Sequence, residues 1–339
     1  MKKIISISTM LLSTMLMANS SDLIKEAKDM GLKPIPKEKS EIVKLINNPD
    51  NKLTKEKYIV GKKLYFDPRL SKSGLISCNT CHNLALGGVD GVPVATGHKW
   101  AKNPHNLNSP TVYNAVFEKK QFWDGRSPDL EDQAQGPIQA TPEMAATKEH
   151  VKQVVNSIPE YKKAFERINK NPNYEPNIKD VADAIAVFER TLFTPSRYDE
   201  FLNGNEKALT EAEQKGLKTF IDKGCASCHN GIALGGEMQQ FPLMGKYKYD
   251  DGKYHPKDNM IKVPTLRNIL LTRPYMHNGR VETIDEAIEI MAENQLGMKL
   301  TKEEIESIKI FFNALTGTIP TVKYPELPVS TDKTPKPQD

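Results

Sequence analysis

Four cysteines occur in the 339-residue chain, and all of them sit in two copies of one short pattern. Cys78-Asn79-Thr80-Cys81-His82 and Cys225-Ala226-Ser227-Cys228-His229 both read Cys-x-x-Cys-His. Two thiols at this spacing can form thioethers to both vinyl groups of one porphyrin, and the histidine that follows is then placed to ligate the iron. A four-cysteine zinc site would also use two Cys-x-x-Cys pairs, but it leaves both following histidines unexplained. Redox disulfides fit less well still, because no thioredoxin-like strand pattern surrounds either motif. The spacing therefore points to one c-type haem at each motif. Cys78, Cys81, Cys225 and Cys228 are the attachment points, and His82 and His229 the first axial ligands.

Each iron has a second axial position, and its occupant decides function. Methionine raises the potential, histidine lowers it, and a releasable position admits a ligand. Of the remaining histidines, His98 ends a loop that contains Gly87, Gly88, Gly91 and Gly97. Such backbone moves a side chain on and off a metal more easily than a helix does. A surface-loop histidine is the plain alternative. His105 and His255 lie in Pro-adjacent polar runs and read as solvated, His150 as exposed in a helix's first turn, and His277 as a turn residue. Met238, Met244, Met260, Met276, Met291 and Met298 all compete for the second iron. Met291 continues the stripe Ile284, Ala287, Ile288, which describes a buried helix face as readily as a ligand. Spacing alone does not choose among them.

These groups must be held by elements that read almost entirely as helix. Apolar spacing and stop signals place helices at about 21–30, 37–47, 54–66, 148–157, 159–169 and 178–193. Residues 197–205 read as a connection. Thr210-x-x-Glu213, Thr283-x-x-Glu286 and Thr301-x-x-Glu304 are capping boxes that open three further helices. The stretch 86–123, rich in Gly, Asn and Pro, reads as irregular wrapping, and the Pro- and Lys-rich tail from Pro320 as a surface arm. Length is sufficient for two domains. The formal charge of +4 is small and both signs are interspersed, so nothing suggests a nucleic-acid partner. Lys2 and Lys3, an apolar run at 4–17 and Ala18-Asn19-Ser20 read as a secretory leader, too short to span a bilayer comfortably. No other segment reads as a membrane span. The expected layout is a signal peptide at 1–20, a domain at 21–196 and a second at 197–339, with the mature chain in a bacterial periplasm.

The two halves also repeat one another. Gly216-Leu217-Lys218-Thr219-Phe220 echoes 61–66, and His229-Asn230-Gly231-Ile232-Ala233-Leu234-Gly235-Gly236 echoes His82-Asn83-Leu84-Ala85-Leu86-Gly87-Gly88. The echoes are in register with the two cysteine motifs, so duplication of a one-haem unit is the natural reading.

At these residues the chain resembles the bacterial dihaem cytochrome c peroxidases, from about Lys57 to the C-terminus. The matching strings are Leu75-Ile-Ser-Cys-Asn-Thr-Cys-His82, 86–91, Gly97-His98, Asn108-Ser-Pro-Thr-Val112, Gln121-Phe-Trp-Asp-Gly-Arg126, Gln133-Ala-Gln-Gly-Pro137, Pro264-Thr-Leu-Arg-Asn268, Pro274-Tyr-Met-His277, Ile290-Met291 and the tail around Tyr324. The resemblance implies an all-α fold of two cytochrome c-like domains, each with one covalently bound c-type haem, a Ca2+ ion between them, and a homodimer. By position, His82 and a releasable His98 would hold the low-potential peroxidatic haem, and His229 and Met291 the high-potential electron-transfer haem. Trp123 would bridge the two, with a plain core tryptophan as the alternative. Glu143 and Gln133 would line the peroxide pocket rather than being two solvated loop residues. Asn108, with the carbonyls of Thr272 and Pro274, would bind calcium, as oxygen ligands suit a hard cation. Met276 departs from the pattern, standing where an aromatic is expected. The implied activity is reduction of hydrogen peroxide to water with electrons from small periplasmic c-type cytochromes. A dihaem electron carrier without peroxidase activity is the alternative. A related class that oxidises a protein substrate carries tyrosine where Met291 stands.

Overall fold

The computed structural model describes residues 19–339. The leader therefore lies outside the described residues, apart from Asn19, which caps the first helix, and Ser20, which opens it. Thirteen α-helices follow in order. The first six are α1 (Ser20–Asp29), α2 (Lys39–Ile46), α3 (Lys55–Phe66), α4 (Cys78–Cys81), α5 (Leu130–Gln133) and α6 (Gln135–Gln139). Next come α7 (Lys148–Ser157), α8 (Pro159–Asn169), α9 (Ile178–Glu189), α10 (Arg197–Leu202), α11 (Glu211–Asp222), α12 (Ile284–Leu296) and α13 (Lys302–Ala314). Threonine side chains at 54, 147, 210, 283 and 301 each accept a backbone N–H of the first turn. Those caps satisfy donors that have no partner inside the helix.

The fold is mostly helical rather than all-α. Met238–Gln240 (β1) pairs antiparallel with Met260–Lys262 (β2) in a two-stranded ladder. Neither run is long or alternating enough to stand out in the sequence. The segment read as a connection contains α10, opened by a capping box between Ser196 and Asp199. The helix expected to reach 193 ends at Glu189, because the Leu192 carbonyl takes its hydrogen bond from Asn114 N at 2.8 Å instead of continuing the helix.

Each half is built on one close helix pair, α3 with α9 and α11 with α13. The same device sets both contacts. A Cβ on Gly61 would lie 1.8 Å from the Ala184 carbonyl oxygen, and one on Gly216 would lie 2.2 Å from that of Ser307. Only glycine lets the backbones approach so far, which explains the glycine at the start of each echoed string. One apolar core gathers Val60, Leu64, Phe165, Val181, Ile185 and Phe188; the other gathers Leu217, Phe220, Ile288, Ile308 and Phe311.

Against the expected limits of 21–196 and 197–339, the two termini cross over between the cores. Leu23, Ile24, Ala27 and Leu32 belong to the second core, and Ile35 N donates to Asp199 Oδ1 at 2.7 Å. In return Ile319, Val322 and Leu327 pack on the first core. The tail is thus a strap, not a free arm. Tyr324 meets the Phe66 ring at 4.5 Å and accepts from Asn79 Nδ2, inside the first motif, at 2.6 Å. Arg69 donates to the Pro328 carbonyl, and Gln338 N to the Lys72 carbonyl at 2.9 Å. Among the described residues no helix is long and apolar enough to cross a membrane.

Candidate active site

The first motif forms α4, opened by a reciprocal pair of hydrogen bonds between Ser77 and Thr80. The helical turn carries His82 N to the Cys78 carbonyl at 2.9 Å. His82 Nδ1 lies 2.9 Å from the Pro110 carbonyl, which fixes Nδ1 as the protonated nitrogen and leaves Nε2 for a metal. Tyr65 Oη donates to the His82 carbonyl at 2.6 Å. Burial lowers the His82 pKa, favouring the neutral form that ligates.

His98 is 6% exposed and opens a tight turn that runs to Trp100. Its N–H donates to the Glu143 carbonyl at 2.7 Å. Its Nδ1 is buried with no hydrogen-bond partner among the described residues, which fits an imidazole whose partner is a metal rather than a protein group. The bland reading of a surface histidine is therefore excluded. Gly97 allows the approach: a Cβ there would lie 2.2 Å from the Pro142 carbonyl oxygen and 2.5 Å from that of Glu143. The structure thus brings His98 and Glu143 together. Burial raises the Glu143 pKa, opposed by the charge of Arg126. Gln133 ends α5, half-buried, and its side chain makes no hydrogen bond among the described residues.

The second motif forms a short turn, Cys225–Ser227. His229 Nδ1 lies 3.1 Å from the Leu234 carbonyl, and burial brings its pKa down to about 4. Cys225, Cys228 and His229 open onto a largely apolar cavity that Met291 also lines, presented by α12. Of the six competing methionines, only Met291 and Met276 line this cavity. The apolar wall, the two thiols, the histidine and the facing thioether suit a covalently held haem.

Trp123 lies on the same cavity, between the halves. Its Nε1 donates to the Asn108 carbonyl at 2.9 Å, and its own carbonyl accepts from Lys262 N at 2.7 Å. Asn108 Nδ2 donates to the Val92 carbonyl at 2.8 Å, which leaves Oδ1 available. Asn108, Thr272 and Pro274 line one cavity. Amide and carbonyl oxygens are the donor type that a hard cation takes. Among the described residues no three His, Cys, Asp or Glu side chains converge as they would at a metal ion.

Sequence reading missed three features. His277 is not a plain turn residue. It lines the cavity, sits edge-on to Trp123 at 6.4 Å and is flanked by Tyr247 and Tyr254 at 5.6 and 5.7 Å. Burial brings its pKa to about 4. His150 is partly buried, with Nε2 2.9 Å from the Arg69 carbonyl. Lys262 and Glu118 form an ion pair with side chains 4% and 5% exposed, joining the halves beside Trp123. The string around His277 marked it as notable, but no local signal pairs Lys262 with Glu118.

The fold and the two sites define a class: mostly helical proteins with two Cys-x-x-Cys-His motifs, the second opening onto an apolar cavity that a methionine on a helix also lines. The profile of the di-haem cytochrome c peroxidase family matches residues 55–207. Cytochrome c551 peroxidase of Pseudomonas aeruginosa is 41% identical over 99% of both chains. A protein of the same name from Nitrosomonas europaea is 44% identical over 82% of this chain and 85% of its own. The crystal structure of a MauG-like protein associated with microbial copper homeostasis matches with a TM-score of 0.70 at 26% identity, over 80% of this chain and 92% of that one. The chain belongs to the di-haem cytochrome c peroxidase family. It is accordingly an oxidoreductase acting on peroxide, and the family implies two c-type haems.

Proposed function

We propose that hydrogen peroxide is reduced at the His82 site, with electrons entering through the His229 site from a small c-type cytochrome. The observations that support this division are a buried His98 ring whose Nδ1 has no partner among the described residues and a main-chain hydrogen bond that sets His98 beside Glu143. When bound, the haems supply electron storage and cleavage of the O–O bond; each peroxide consumes two electrons and two protons and yields two waters. His82, its tautomer fixed by Pro110, and His98 would hold the haem of this site. Release of His98 would open the site to peroxide. Its glycine-rich loop supports that motion. Glu143 takes the first proton from peroxide and returns it to the departing oxygen. The burial that raises its pKa brings it closer to the working pH of such a shuttle. Gln133 is assigned to orienting peroxide from the end of α5.

At the other site His229 and Met291, which line one cavity, would together hold the haem. A thioether ligand favours ferrous iron and suits an electron-receiving centre. Trp123, hydrogen-bonded to Asn108, bridges the two. Asn108 with the carbonyls of Thr272 and Pro274 holds Ca2+ beside that bridge. The leader and covalent haem attachment support a periplasmic location, and the family resemblance supports a homodimer. A peroxidase assay with reduced c-type cytochrome, run with and without prior half-reduction of the enzyme, tests the whole reading. Absence of turnover in both forms would leave a dihaem electron carrier.

A further inference from the structure

Equivalent segments of the two halves converge on one threonine, Thr194. Asn114 and Asn268 occupy equivalent places in the repeat, each closing a Pro-Thr-x-x-Asn segment: Pro110-Thr111-Val112-Tyr113-Asn114 and Pro264-Thr265-Leu266-Arg267-Asn268. Both take a left-handed backbone, with φ of 65° and 60°. Asparagine tolerates this conformation because its side chain bonds locally. Asn114 N donates to the Leu192 carbonyl at 2.8 Å and Asn268 N to the Leu315 carbonyl at 3.1 Å. Asn114 Oδ1 accepts from Thr194 N and Asn268 Oδ1 from Gly317 N, both at 2.9 Å. The remaining group of each amide then converges on one atom. Asn114 Nδ2 and Asn268 Nδ2 donate to Thr194 Oγ1 at 2.8 and 2.9 Å. Thr194 and both asparagines are 0% exposed. Gly317, the counterpart of Thr194, is glycine because a Cβ would lie 2.2 Å from the Thr194 carbonyl oxygen.

Both segments lead directly to a proximal histidine. Pro110 supplies the carbonyl that faces His82 Nδ1. In the other half the Leu234 carbonyl faces His229 Nδ1 and also accepts from Leu266 N at 3.3 Å, two residues before Asn268. Thr111 Oγ1 ties its segment to the Gly87 carbonyl at 2.7 Å, and Thr265 Oγ1 ties its own to the Ala233 carbonyl at 2.5 Å. A continuous path of hydrogen bonds and short peptide runs therefore joins the two ligands, with the Thr194 hydroxyl at its centre.

We infer that Thr194 is a positioning residue that couples the two haem sites, so that a shift of the His229 loop on reduction is passed to the His82 side and biases release of His98. The inference rests on the release of His98 proposed above. Threonine suits the role because one hydroxyl oxygen accepts from both amides. Moving either segment alone would strand a buried N–H, so the two move together.

The test uses the holoprotein with both haems attached, verified by pyridine haemochrome. Thr194→Val keeps the shape and removes the acceptor; Thr194→Ser keeps the acceptor. The readout is the ferric high-spin fraction at the first site, by electron paramagnetic resonance, before and after reduction of the second site alone. Wild type and Thr194→Ser should show the same rise on half-reduction. In Thr194→Val the reduction-induced change in the spin equilibrium constant should fall by about tenfold, within the range usual for coupled sites. An unchanged response in Thr194→Val overturns the role of Thr194 while leaving His98 release intact. No response in wild type overturns both. Amide hydrogen exchange on the wild-type protein covers the case in which Thr194→Val does not fold. Half-reduction should change protection at 111–114, 192–196 and 265–268 together. A change confined to 230–236 would sink the inference.

Discussion

The two haem units share a plan and differ in the elements that carry the proposed second ligands, His98 and Met291. His98 sits in a turn after a glycine-rich loop, followed by Lys99 and Trp100 with φ of 58° and 56°. Met291 sits within a thirteen-residue helix, flanked by buried Ile290 and Ala292. Moving Met291 away would disturb a helix and its packing, whereas moving His98 disturbs one turn and its contact with Glu143. The units differ below the cofactor too. Phe188 and Phe311 are equivalent and both fully buried, but the next residue is Glu189 in one half and Phe312 in the other. Phe312 lines the second cavity, and the buried Glu189 carboxyl leaves Oε2 without a partner. Duplication supplied the scaffold; the proposed loop-borne ligand and the unpartnered buried carboxyl of Glu189 make the halves unequal.

The sharpest way to break that inequality is to remove the proton carrier. Glu143→Gln should keep both haems and normal reduction by the donor, while peroxide turnover falls about 10²–10⁴-fold. Turnover within a few-fold of wild type would assign the proton to water or another side chain. Next in size is the ligand on the helix. Met291→His should lower the second-site potential by a sizeable part of the roughly 0.8 V that axial ligation spans. A redox titration without a shift would hand the role to Met276, the other methionine on that cavity.

Glu189 offers a pH test confined to the first half. Burial, with a smaller contribution from Glu131, raises its pKa from 4.5 to about 8. Between these values the folded protein holds a proton that the unfolded chain has lost. Stability should therefore fall as pH rises from about 5 to 8 by up to a few kcal/mol, and Glu189→Gln should flatten that slope in denaturant titrations. An identical slope in the variant would reassign the effect. The smallest effect is expected from Gly97→Ala. The added methyl must displace the carbonyls of Pro142 or Glu143, costing about 1–3 kcal/mol as an overpacked contact. It should also raise the high-spin fraction of the oxidised protein by separating His98 from Glu143. A loss of stability with an unchanged spectrum would detach that contact from ligation.

Much of this was legible locally. The Cys-x-x-Cys-His spacing needs no tertiary structure to be read, since thioether attachment and axial ligation are properties of five consecutive residues. The threonine caps and apolar stripes placed most helices within a few residues, because both signals act within one or two turns. The in-register echoes announced two related units before any contact was known. Long-range contacts were not legible. Six methionines fitted the second iron on spacing, and only the cavity shared with His229 separated Met291 and Met276 from the rest. The tail read as an arm because Pro and Lys dominate it, yet Tyr324 and Arg69 tie it to the first motif's half. The pairing of Lys262 with Glu118, and of both asparagines with Thr194, joins residues remote in sequence. Composition and periodicity report on neighbours along the chain; such pairings exist only once burial removes water and each polar group must find a partner in the fold.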